Sequence, residues 1–112
     1  MAGVYGWPEM GDVEGDFLGY TVDHLFAEIW DRPGLTDRDR RLVLLGLLVG
    51  RGLHDVIPLQ LSGALANDEL TAEELREIVI LLTHYAGWPD GAKLNSQVEA
   101  ALAEAAKRST PG

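Results

Sequence analysis

Four arginines and three aspartates fall within the eleven positions from Asp31 to Arg41 of the stretch WDRPGLTDRDRRLVLLG, and beyond Arg41 it is wholly apolar or glycine. An arginine at the edge of an apolar run suits the capture of a small acid, because its planar fork pairs both carboxylate oxygens at once. Arg41 begins that run and is the leading substrate-binding candidate, with Arg38 one turn before it. A plainer role is also open. Asp37 and Arg41 stand four apart with the acid first, an arrangement that stabilises an exposed helix by ~0.3–0.5 kcal/mol.

The second chemical candidate is the pair His84-Tyr85, which closes an apolar segment just before Gly87. An imidazole beside a phenol can move a proton, although such residues also serve as hydrogen-bonded core or interface members. The three histidines, His24, His54 and His84, lie thirty residues apart, so no pair has metal-ligand spacing and no metal is expected. His54 reads as a helix cap. The absence of cysteine removes thiolate nucleophiles, disulfides and cysteine metal sites. No serine has a nucleophile-elbow context, and no glycine-rich phosphate loop follows a strand.

These residues need elements to hold them, and the spacing predicts an all-α chain. Phe17, Leu18, Val22, Leu25, Phe26 and Ile29 recur at steps of three and four, the signature of one helix face, which Pro33-Gly34 ends. Thr36 is a plausible N-cap for a helix over about 36 to 51, with Asp39 at its third position. Gly50 and Gly52 bracket its end. His54 or Asp55 can cap the next helix, placing Pro58 in the first turn, where its missing N–H costs little. Thr71-Ala72-Glu73-Glu74 matches a capping box, and Leu75, Ile78, Val79 and Leu82 share one side of the helix that follows. After Gly87-Trp88-Pro89, an alanine-rich segment with basic residues at its end predicts a final helix. About five to six helices result. Residues 1–16 read as an N-terminal arm, 17–108 as a single helical domain, and 109–112 as a frayed tail. Trp7, Trp30 and Trp88 are assigned to core packing, an aromatic pocket or a seam between subunits.

The chain has 112 residues, room for a core that buries roughly 65% of the unfolded surface. Its apolar runs are too continuous for the faces of a lone small monomer, so a homo-oligomer is expected. A net charge of −9 argues against nucleic acid as a partner. The longest apolar run, Leu42 to Val49, falls short of the ~20 residues of a membrane helix, and the N-terminus lacks a signal-peptide pattern. No membrane partner and a cytoplasmic location are the expectations.

The order of segments then narrows the reading. EIWDRPGLTDRDRRLVLLGLLV, QLSGALAND and LTAEELREIVILLTHYAGWP resemble the carboxymuconolactone decarboxylase family across about residues 22 to 104. The W-x-R-P-G-L turn at Trp30 to Leu35, the arginine-rich helix start, the T-x-E-E-[LI] cap and the [YF]-x-G-x-P close at Tyr85 to Pro89 carry the resemblance. It implies an AhpD-like helical fold, ring assembly as a trimer or hexamer, and sites near subunit contacts. The peroxidase branch of that family uses E-x11-C-x2-C-x3-H. Laid on this chain, that spacing falls on Arg41, Leu53, Val56 and Gln60, so a thiol peroxidase is excluded for want of a thiolate.

The decarboxylase branch, which also carries arginine at the first of these positions, is the closer match. It implies cofactor-free loss of carbon dioxide from 4-carboxymuconolactone. Such a reaction needs an anion-binding group, stabilisation of a developing dienolate and an acid that protonates carbon. By resemblance Arg41 binds the anion, with Trp30 and Arg38 at the same site. Gln60 orients the substrate, and His84 or Tyr85 moves the proton. Decarboxylases typically carry L-H-L-R where this chain reads Leu59-Gln60-Leu61-Ser62, and N-N-G where it reads Asn67-Asp68-Glu69. Glutamine cannot shuttle a proton near neutral pH. The alternatives are therefore a non-catalytic ring-forming or ligand-binding member, or a pathway tailoring enzyme with a different ring substrate.

Overall fold

The computed structural model describes residues 21–109. A π-helix, Thr21–Ile29, leads into four α-helices: α1 (Asp37–Gly50), α2 (Ile57–Ala66), α3 (Ala72–Ala86) and α4 (Trp88–Ser109), with a 3₁₀ turn at His54–Val56 before α2. The described residues contain no strand, as the helical spacing predicts. The arm at 1–16, Trp7, Phe17 and Leu18 lie outside the described residues, as do positions 110–112 of the tail.

Local chemistry explains the boundaries. The Thr36 hydroxyl accepts from the Asp39 backbone N–H at 3.1 Å and starts α1. Gly52, at φ +70°, ends it in a turn where Gly52 N–H reaches Val49 O and Leu53 N–H reaches Leu48 O. These are the two bonds of a Schellman motif, which needs a left-handed residue at that point. Thr71 and Glu74 form the reciprocal capping box of α3, at 3.1 and 2.9 Å.

Three expectations need correction. His54 caps nothing: α2 begins at Ile57 after Val56, with Pro58 in its first turn and no side-chain cap, while His54 Nε2 pairs with Asp90 Oδ1 at 2.8 Å. The final helix starts at Trp88 rather than after Pro89. Gly87 at φ +109° reverses the chain in a single residue, and Pro89 sits in the first turn, where no N–H is required. Ile29, expected on a core face, is exposed because the first helix is π-wound, which shifts its faces from the 3.6-residue period.

Leu45, Leu48 and Val49 of α1, Ile57, Leu61 and Ala64 of α2, Leu75 and Val79 of α3, and Leu94 and Val98 of α4 make one buried cluster with Leu70. Where α3 and α4 meet, a Cβ added to Gly91 would lie 2.0 Å from Thr83 Oγ1, so only glycine permits that approach.

Candidate functional site

The arginines at the start of α1 each have a separate task. Arg40 folds back over the preceding turn and donates to Trp30 O at 2.8 Å, Leu35 O at 2.6 Å and Arg32 O at 2.6 Å. It fixes a segment that has no regular hydrogen bonding of its own. Arg38 crosses to the first turn of α3 and donates to Glu74 Oε2 at 2.6 Å, an exposed link. Together with the Thr71 backbone N–H, which contributes more, Arg38 holds the Glu74 carboxyl below its ordinary range.

Arg41 points inward and is fully buried. Its Nε donates to Glu69 Oε1 at 2.7 Å, Nη2 to Glu69 Oε2 at 3.3 Å, and Nη1 to Gln60 Oε1 at 2.6 Å. The guanidinium carbon lies 5.3 Å from the Trp30 ring centroid, within cation–π range, and Trp30 is itself buried. The ion pair expected between Asp37 and Arg41 is thus replaced. Asp37 comes nearest Arg40, at 3.9 Å, because residue 41 lies on the buried face of α1.

Glu69 is the member of this cluster that sequence reasoning missed. Helix α2 ends with Asp68 at φ 53°, the one non-glycine among the described residues with positive φ. Asp68 N–H bonds Leu65 O at 3.3 Å and Glu69 N–H bonds Ala64 O at 2.9 Å, a second Schellman motif. That turn brings Glu69 back towards Arg41. The available signal was the acid in Asn67-Asp68-Glu69 where the family reads N-N-G.

His84 and Tyr85 lie elsewhere. His84 Nδ1 is 2.7 Å from Ile80 O, and since a carbonyl only accepts, Nδ1 is the donor of that bond. The ring meets Trp88 edge-on, with centroids 5.6 Å apart. Both border an open cleft of about 390 Å³ lined by Val79, Ile80, Thr83, His84, Trp88, Gly91, Ala92 and Asn95. No member of the Arg41 cluster lines it. His84 follows Glu74 by ten residues on α3, roughly 15 Å along the axis. Tyr85 is 85% exposed. The described chain therefore joins Arg41, Gln60 and Trp30, sets Arg38 at the α1–α3 contact, and leaves His84 and Tyr85 on a separate face. That face is apolar, with Ile80, Leu81 and Trp88 also exposed.

Leu53 and Val56, the positions of the peroxidase cysteines, are half-exposed in the link that leads to Gln60. Arg41 and Gln60, at the relay's glutamate and histidine positions, are in direct contact. No cluster of three or more possible metal ligands exists among the described residues, and none of their helices is long and apolar enough to cross a membrane.

Residues 15–107 match the carboxymuconolactone decarboxylase family. The chain belongs to that family. It is 32% identical over 80 residues to a 4-carboxymuconolactone decarboxylase of Acinetobacter baylyi, covering 71% of this chain and 59% of that protein. It is 38% identical over 64 residues to a nitrosuccinic acid decarboxylase of Metarhizium robertsii, covering 57% of this chain and 44% of that protein. The chain thus spans about half the length of the curated relatives it matches. No solved structure matches it. Both of these relatives are named as decarboxylases.

Proposed function

We propose that the chain is a cofactor-free, cytoplasmic carboxy-lyase acting on a small carboxylated or enolisable ring compound of the 4-carboxymuconolactone kind, and that it works as a homo-oligomeric ring. The observation that supports this reading is the buried Arg41–Gln60 contact at 2.6 Å, between two positions that the family resemblance marks as reactive. The acids in the two relatives' names share a pattern: the departing carboxylate stands beside an electron-withdrawing group, and a second carboxylate remains. When the carbon–carbon bond to carbon dioxide breaks, its electron pair passes into that group as an enolate-type anion, and a proton then adds to carbon.

Arginine paired with the departing carboxylate would favour the ground state and slow the reaction. Arg41 therefore holds the carboxylate that stays, and Gln60 orients it. Trp30 backs the guanidinium, and Arg38, three residues earlier on α1, is the second substrate-binding arginine. His84 or Tyr85 carries the proton, supplied by a neighbouring copy whose exposed α3–α4 face packs against this site. That packing would also cover Ile80, Leu81, Tyr85 and Trp88, which are exposed in a single copy.

A second reading, a ring-forming or ligand-binding member without catalysis, is favoured by one observation: Glu69 already neutralises Arg41 inside the chain. The deciding experiment follows absorbance and carbon dioxide release with 4-carboxymuconolactone, beside the native mass. Turnover by an intact ring, with KM raised at least tenfold in Arg41→Lys, supports the lyase. No turnover by an intact ring refutes this substrate assignment and favours the binding role.

A further inference from the structure

Arg41 has a difficulty as a carboxylate receptor: each of its three nitrogens already has a partner. Glu69 occupies Nε and Nη2, Gln60 occupies Nη1, and the arginine side chain has no exposed surface. No ligand carboxylate reaches the guanidinium while Glu69 stays in place. Resting on the lyase reading above, we propose that Glu69 is a resident carboxylate that the substrate's own carboxylate displaces, which makes Glu69 the residue that sets which acids the site admits.

Three observations favour exchange over a fixed pair. The first is position. Arg41 is held within a long helix under Trp30, whereas Glu69 follows a helix-ending turn whose neighbours, Asn67 and Asp68, are exposed. The second is anchoring: Leu70 is buried in the core, so the backbone stays while the Glu69 side chain swings. The third is charge. Replacing one carboxylate by another leaves the buried arginine neutralised throughout, so the exchange adds no uncompensated charge to the interior. A neutral ligand, or one whose anion is diffuse, would lack the strength to displace a bidentate carboxylate.

The test measures succinate binding by calorimetry to the wild-type protein, Glu69→Gln and Glu69→Asp. Succinate offers carboxylates but no electron-accepting group, so binding is read apart from turnover. Glu69→Gln is expected to bind succinate at least tenfold more tightly, because a neutral amide competes less well for the guanidinium. Arg41→Met/Glu69→Gln should lose that gain. If folded Glu69→Gln binds succinate no more tightly than wild type, Glu69 is a fixed structural partner and the proposal is overturned. If Glu69→Gln does not fold, Glu69→Asp decides: its shorter arm keeps the charge but loosens the pair, so tighter binding supports exchange and unchanged binding overturns it. Tighter succinate binding without turnover of 4-carboxymuconolactone would keep the exchange and refute the lyase. Turnover with unchanged succinate affinity in the variants would do the reverse.

Discussion

Deleting Glu69 should harm the fold more than deleting Arg41, although both deletions break the same ion pair. Glu69→Leu leaves a guanidinium with no exposed surface, on a helix that cannot release it, with Gln60 Oε1 as its one remaining hydrogen-bond acceptor in this cluster. Stranding a buried charge in this way costs about 3–5 kcal/mol. Arg41→Met instead strands a carboxylate on a side chain that is 7% exposed and follows an exposed turn, so it can rotate into water. Its cost is closer to the loss of charged hydrogen bonds, about 1.5–3 kcal/mol. At about 4 °C per kcal/mol, the melting temperature should fall by ~12–20 °C for Glu69→Leu and ~6–12 °C for Arg41→Met. Arg41→Met/Glu69→Leu removes both charges and should recover much of the loss, so the two penalties will not add. The assay is urea and thermal unfolding of all four proteins by circular dichroism at neutral pH. A greater loss for Arg41→Met, or a double variant whose loss equals the sum, would refute the claim that Arg41 is fixed and Glu69 is the mobile partner.

Gly91→Ala gains about 1 kcal/mol of helix propensity, but its Cβ would sit 2.0 Å from Thr83 Oγ1, 2.7 Å from Thr83 Cβ and 2.8 Å from Thr83 Cγ2, and overpacking of this kind costs about 1–3 kcal/mol. Urea unfolding should show a net loss of up to about 2 kcal/mol that Thr83→Ala relieves only in part, since the Thr83 Cβ remains; no loss at all would mean that α3 and α4 part freely. The capping carboxylate predicts an acid limb. Glu74 has a lowered pKa, chiefly from the Thr71 backbone N–H and then from Arg38. The stability it contributes is therefore complete above its unfolded value, near 4.5, and is lost as pH falls through the folded one. Glu74→Gln should flatten the fall in melting temperature as pH drops below about 4.5, where the unfolded carboxyl protonates before the folded one, and an unchanged slope would show that the cap carries no charge-dependent stability.

Most of the fold was legible because its signals are local. Thr36 and Thr71 start helices through hydrogen bonds that span three residues, and Leu75 and Val79 reach the core through a periodicity visible in one segment. The errors arose where a distant partner decides. The place of His54 after Gly52 suggests a cap, but Asp90, thirty-six residues away, fixes its ring, and Gln97 Nε2 donates to its carbonyl at 2.9 Å. Similarly, Asp37 and Arg41 have good spacing for a helical pair, yet a residue that faces the core takes its partner from across the core. Arg40 had no assigned role because three backbone carbonyls as partners leave no trace in side-chain spacing.

The Arg41–Gln60 pair also constrains where a proton can come from. Neither side chain exchanges a proton near neutral pH, since arginine stays charged and an amide stays neutral. Any carbon protonation must therefore draw on a group outside the pair. All three histidines have a defined hydrogen bond: His24 pairs with Glu28 at 3.2 Å within the first helix, and the other two differ in exposure. His54 Nε2 faces Asp90 at 2.8 Å and its Nδ1 is buried with no partner, so both nitrogens are turned into the structure. His84 has Nδ1 committed to Ile80 O, which leaves Nε2 as its one uncommitted ring nitrogen, and the ring borders an open cleft. Of the two, His84 alone has the exposure to serve a site completed by another copy. In the ring proposed above, the separation between Arg41 and His84 would follow from assembly, with anion binding in the interior of one copy and proton transfer at the surface of the next.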